Sequence, residues 1–247
     1  MAQAREFGEG ILFRVTTTIY ALVMLTLLFA TTCVLFIPTL FLAHDVSNLV
    51  FFSLAALPVG PGITALLHCI TVLGRDRDIS PTREFFRAYR MNFAPTLRFW
   101  IPAVVVGAIV AADVGYLQGS DSGFDAAVFV ALLVLSAIGV LWLVNMFVIT
   151  AHFHFRFRDA AKLSVFYLGA RPLATLANVA TIFVLGACFV FAFDAVAVIL
   201  SCLFAYMAVT SNAPTLRDVR QRFTAPADSP VEENSTATAA SAPLLPR

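Results

Sequence analysis

Few side chains in this sequence could do chemistry, and their spacing limits what that chemistry can be. His152-Phe153-His154 is a His-x-His pair. On a helix two such side chains point about 200° apart and cannot hold one metal ion together, whereas on a strand they share a face. Apart from Asp159, no carboxylate or cysteine stands near them, so an interfacial aromatic and basic belt is the favoured reading over a metal site. His68-Cys69 lies in an apolar segment, where a buried packing role is favoured over a proton relay. Asp113 is the only acid well inside an apolar stretch, and it lies close to one end, as an interface-solvated carboxylate would. Asn145 and Asn178 are expected to hydrogen-bond between helices. Cys33, Cys69, Cys188 and Cys202 sit in apolar runs with no Cys-x-x-Cys spacing, as small buried hydrophobes do. No phosphate loop, nucleophile triad or carboxylate pair is present. The expectation is a non-enzymatic chain with no metal and no cofactor.

One motif stands apart from this sparse set. Leu57-Pro58-Val59-Gly60-Pro61-Gly62-Ile63-Thr64-Ala65-Leu66 lies inside an apolar run. Two prolines remove two backbone donors, and each disfavours the helical conformation for the residue before it. At membrane depth the freed backbone groups must be covered by protein or water. The segment is therefore a helix kinked against a neighbour or two half-helices meeting inside a bundle. Discontinuous helices also build midplane solute sites, which makes Pro58, Gly60, Pro61, Gly62 and Thr64 a candidate site.

The elements that position these residues follow from composition. At 60% hydrophobic and 13% charged residues the chain lies outside the range of soluble domains, so lipid must replace much of the water around it. Six apolar spans are expected, at about 11–42, 49–74, 98–116, 126–151, 172–193 and 195–210. The first reads as an uncleaved membrane helix, because its apolar run far exceeds the roughly 7–15 residues of a signal core. It is long for a span, and must tilt, project or kink at Pro38. Ser80-Pro81 is a helix start, a hydroxyl cap followed by proline. The helix it opens carries Arg83, Arg87 and Arg90 on one face and Phe86, Tyr89 and Phe93 on the next, as a short amphipathic surface helix would. The spans make one membrane domain over 1–222, and the Ala, Pro, Ser and Thr-rich residues 223–247 read as a disordered tail.

Charge tests the span list. Six spans with the N-terminus inside put every Lys and Arg of the chain on the inner side, while the outer turns hold His44, Asp45, Asp121, Asp125 and Asp194. Both termini are then cytoplasmic. Arg83, Arg87, Arg90, Arg98, Arg156, Arg158 and Arg171 form a candidate inner face for anionic lipid headgroups or a cytoplasmic partner. Nucleic acid is not an expected partner, because these arginines face a membrane. All cations but Lys162 are arginine, which with the Ala and Val richness fits a GC-rich bacterial genome and its cytoplasmic membrane. A loose echo between Asn92–Leu97 and Gly169–Ala174 hints at a duplicated pair of hairpins.

The Leu57–Leu66 block, with Phe85-Phe86-Arg87-Ala88-Tyr89-Arg90-Met91-Asn92-Phe93, Phe153–Arg158 and Arg171-Pro172, resembles the YesL-like family of bacterial membrane proteins, which share a domain of unknown function. The likeness covers most of residues 15–222. It departs at Gly60-Pro61-Gly62, where the family more often has Thr-Ile-Gly. The resemblance implies association with sugar-uptake systems and carries over no catalytic residue. Two functions are therefore expected to compete. The first is a non-enzymatic accessory component linked to carbohydrate uptake, bound to membrane lipids and to a sugar-uptake transporter complex. The second is a small-solute transporter or channel subunit with its site at the broken second span. A lipid-modifying enzyme comes a distant third.

Overall fold

The structure is a computed structural model that describes residues 11–42, 46–75, 80–117, 123–153, 155–191 and 198–223. His44, Asp45, Asp121, His154, Asp194, Arg5, Arg77, Arg247 and the tail from residue 224 lie outside the described residues. Among the described residues the fold is all-α: α1 (Ile11–Thr32), α2 (Leu49–Ala56), α3 (Val59–Arg75), α4 (Pro81–Leu117), α5 (Gly123–His152), α6 (Phe157–Ala170), α7 (Pro172–Phe191), α8 (Ser201–Ser211) and α9 (Ala213–Phe223).

Four helical stretches are long and apolar enough to cross a membrane: α1, α2 with α3, α4, and α5. A fifth arises if α6 and α7, bent by 99° at Arg171, count as one span. Their outward faces are apolar. Val130, Leu133, Val134, Leu135 and Ile138 of α5 and Leu173, Leu176 and Phe183 of α7 are all exposed. A fold that turns such surfaces outward is stable where hydrocarbon is the solvent, and every backbone group there must be paired within its helix.

Several expectations change. The first apolar stretch is helical only to Thr32; Val34–Phe36 and Pro38–Phe41 are tight 3-10 turns, so Pro38 opens a turn rather than kinking a long helix. The basic segment after Pro81 is not a separate surface helix. It continues through Pro95 and Pro102 into the third span as one helix of 37 residues. At 1.5 Å per residue that is roughly 55 Å, nearly twice the hydrocarbon thickness, so one end must stand outside it. Residues 157–170, outside the six expected spans, form α6. The sixth apolar stretch contributes only the 11-residue α8 among the described residues. The two echoing segments do not repeat in structure: Pro95 lies inside continuous helix, whereas Pro172 opens a new helix after a sharp bend.

Helix α3 is the hub and packs against α1, α4, α5 and α8. Its buried residues run from Gly60 to Leu73 and include Thr64, Ala65, Cys69 and Ile70. The facing stripe on α4 is Phe85, Ala88, Asn92, Thr96 and Phe99, at the three- and four-residue steps of a helical face. The last turns of α5, Asn145–Ala151, are buried without interruption, so this end of α5 is wedged into the bundle while its outer half faces outward.

Candidate functional site

The broken second span is the first candidate. It is an interruption of two residues, Leu57 and Pro58, between α2 and α3, and the two helices read together as one kinked span of 27 residues. Gly60, Pro61, Gly62 and Thr64 are all buried, and Pro58 is half-buried. The freed backbone is covered by α4. The Trp100 indole N–H donates to the Ala56 carbonyl at 2.8 Å, and the Tyr89 hydroxyl reaches the Pro58 carbonyl at 3.5 Å. The Gly62 amide also donates to Pro58, at 3.3 Å. The glycines are required by close approach. A Cβ on Gly60 would stand 2.6 Å from Cγ of Trp100, and one on Gly62 would stand 2.6 Å from the Thr32 hydroxyl. Beside them the hydroxyls of Thr64 and Thr96 meet at 2.9 Å, tying α3 to α4. The residues predicted as a site are thus brought together, and an indole ring occupies the space a ligand would take. Trp100 is the residue here that has no signal in the sequence as a partner of the break. An apolar groove of about 470 Å³ lies farther out between α2 and α4, lined by residues such as Leu54, Leu57, Ile101 and Val105.

The second candidate is the cationic end of the bundle. His68 joins three helices there. Its Nδ1 lies 3.0 Å from the Ala151 carbonyl and its Nε2 lies 3.3 Å from Glu84. A carbonyl oxygen only accepts, so Nδ1 carries a proton. His152 Nε2 lies 2.6 Å from the Thr71 hydroxyl, and its Nδ1 donates to Val148 at 2.7 Å. His152 is the last residue of α5, and its His154 partner lies outside the described residues. Among the described residues no group of three His, Cys, Asp or Glu side chains could hold a metal ion.

Arg83, Arg87, Arg90, Arg98, Arg156 and Arg158 are exposed and Arg171 is half-buried. Arg87 pairs with Glu84 at 3.8 Å, an exposed contact of little energetic weight. Arg171 reaches Asp218 at 3.7 Å, and Asp218 also accepts from the Tyr167 hydroxyl at 3.0 Å, so α6, α7 and α9 meet through one carboxylate. Phe86 and Phe93 face outward beside the arginines, while Tyr89 is half-buried and stacks on the buried Phe85.

A third polar constellation is structural. Asn145, Asn178 and Asn212 are 5%, 2% and 1% exposed. Asn178 donates to Asn145 at 3.4 Å, and Asn212 donates to Asn178 at 3.0 Å. The interhelical role expected for Asn145 and Asn178 is present; Asn212, at the joint of α8 and α9, is the partner that sequence reasoning missed. Asp113 is exposed near the far end of α4, as an interface-solvated acid would be.

Where α4, the end of α5 and the start of α6 meet lies a cavity of about 150 Å³, lined by Asn92, Pro95, Arg98, Thr150 and several phenylalanines. Arg98 is legible in the sequence as an inner-face cation, but the pocket is not, because its walls come from three separate helices.

The fold and these sites define a class, an all-α protein with several helices long and apolar enough to cross a membrane. A family model described as "Protein of unknown function, DUF624" matches residues 21–114, which hold α2, α3, most of α4 and the close packing at Gly60 and Gly62. No curated protein and no solved structure matches the chain.

Proposed function

We propose that this chain is a YesL-like protein of a bacterial cytoplasmic membrane, with six spans and both termini inside, acting as a non-enzymatic accessory component of carbohydrate uptake. The observation that carries the choice is the packing at the broken span: the Trp100 ring against Gly60, and its N–H on the Ala56 carbonyl, leave the break filled with protein. A midplane solute site needs room at that point. What the chain offers instead is a cationic end, with Arg83, Arg90, Arg98, Arg156 and Arg158 making no ion pair among the described residues. Such a face suits anionic headgroups and an acidic surface on a transporter complex.

Support for six spans comes from charge: they keep every Lys and Arg on one side, and removing any single one of them would put arginines on the other. The contacts of His68 with Glu84 and Ala151, and of His152 with Thr71, also gather these ends of α3, α4 and α5 at one end of the bundle. The test is reconstitution of the purified chain in liposomes with labelled sugars. The accessory reading expects no flux without a partner. Flux from the chain alone that is lost in the Pro58→Ala, Pro61→Ala double variant would replace it with the transporter reading.

A further inference from the structure

The cavity between α4, α5 and α6 has the make-up of a binding site. Asn92 is 1% exposed, and its amide donates to the Ala88 carbonyl of its own helix at 3.0 Å. Its second amide proton and its oxygen have no partner among the described residues, and neither does the hydroxyl of Thr150. These groups are not sealed inside packed protein, where among the described residues the one orphaned side-chain atom is the Ser201 hydroxyl; they line the cavity. Among the described residues Arg98 adds the only charge in the lining, a guanidinium with no carboxylate beside it. The remaining wall is apolar and includes Phe99, Phe153 and Phe155.

Local sequence explains why the space stays open. Pro95 and Pro102 bracket Arg98 in α4 and cannot donate to the carbonyls of Met91 and Arg98. Facing them, α5 ends at His152 and α6 begins only at Phe157, so the link between two helices crosses in front of α4 instead of a continuous helix face.

We infer that this cavity holds a phosphate group carried next to a hydroxyl, the chemistry of an anionic glycerol phospholipid headgroup. Arginine presents a planar fork that matches a phosphate bidentately. Asn92 and Thr150 together offer a donor and an acceptor to a neighbouring hydroxyl, which a bare carboxylate would leave unused. At about 30 Å³ per water molecule, 150 Å³ has room for roughly five waters, the size of a phosphate and a small polyol fragment. The phenylalanine wall gives the glycerol backbone and first acyl carbons an apolar surface. The site lies where α5 ends, at the level expected for headgroups, and basic pockets between helices at the cytoplasmic interface suit anionic lipid. The inference rests on the proposed placement of the cationic end at the cytoplasmic surface and not on carbohydrate uptake.

The test uses the full chain purified in a neutral detergent, where orientation plays no part. It is titrated with dioleoyl phosphatidylglycerol, with dioleoyl phosphatidylcholine and with glycerol phosphate, and read by native mass spectrometry and by thermal unfolding. Phosphatidylglycerol is expected to bind with a single tight site that phosphatidylcholine does not fill. Arg98→Gln should weaken it about tenfold, the scale of one charge-assisted contact, and Thr150→Val severalfold. Arg83→Gln, on the same helix but outside the cavity, should leave it unchanged. Both arginines are exposed, so neither variant disturbs the core. Equal binding of the two lipids, or equal loss in Arg98→Gln and Arg83→Gln, would overturn the site. Binding of glycerol phosphate as tight as that of the lipid would reassign it to a soluble phosphate ester and overturn the lipid.

Discussion

Two proline-bearing regions of this chain, Pro58–Gly62 and Pro95–Pro102, came to opposite ends. The first interrupts a span, and its exposed backbone is covered by one indole and closed by two glycines that let neighbours approach. The second stays helical throughout, and yet a cavity with unpaired polar groups lies against it. Proline marks where backbone hydrogen bonds are missing. Whether that becomes a site depends on what the next helix brings, a large ring in one case and a helix end in the other. A broken membrane helix is therefore evidence for a site only when the covering side chain is known.

Removing the plug should have the largest effect. Trp100→Ala deletes a large half-buried ring and leaves the Ala56 carbonyl without its donor, and thermal or denaturant unfolding in detergent should show a loss of about 3 kcal/mol. It should also make Thr64→Cys newly reactive to a water-soluble maleimide; a Trp100→Ala variant as stable as the parent would mean the ring is not what closes the break. Gly60→Ala should be next. The added methyl meets the Trp100 ring, and overpacking of this kind costs about 1–3 kcal/mol. Gly74→Ala, with nothing within 4 Å of its added Cβ, should be neutral or stabilising and serves as the control.

Smaller effects separate polar groups that hold the fold from polar groups left open. Asn178→Ala should cost about 1–2 kcal/mol, because it strands Asn145 and Asn212 in an apolar setting. Asn92→Ala should cost less, since its amide bonds only within its own turn and faces a cavity. A reversed order would erase the contrast between the two asparagine sites. Smallest of all, a double-mutant cycle of Thr64→Val with Thr96→Val should give a coupling of about 0.6 kcal/mol, typical of hydrogen bonds between membrane helices.

How much of this was legible in the sequence differs by feature. The apolar helices and the break were readable, because hydrocarbon demands long apolar runs and two prolines in five residues cannot go unnoticed. Asn145 and Asn178 could be assigned to helix contacts because a carboxamide in a span needs a partner. The identity of the partner was not readable: Asn212 lies beyond α8 and looks like a residue of a polar exit. The plugging role of Trp100 was not readable, because its place in the chain fits a headgroup belt and its packing depends on Gly60, forty residues earlier. The continuity of α4 was hidden by Pro95, which reads as a helix boundary until neighbouring elements support a helix through it. The bend at Arg171 lay within reach, since Pro172 forbids α6 to continue, but α6 itself has too weak an apolar pattern to be seen beside real spans.

Helix α4 carries the account in one piece, from exposed Arg83 at one end to Tyr116, 83% exposed, at the other. With Cys33, Cys69, Cys188 and Cys202 replaced, single cysteines at these two positions can be labelled in intact cells with a membrane-impermeant maleimide. Reaction at Tyr116→Cys, with Arg83→Cys reacting only after the cells are permeabilised, is the result expected if the arginine-bearing end and its cavity face the cytoplasm. Reaction at Arg83→Cys with Tyr116→Cys protected would contradict it.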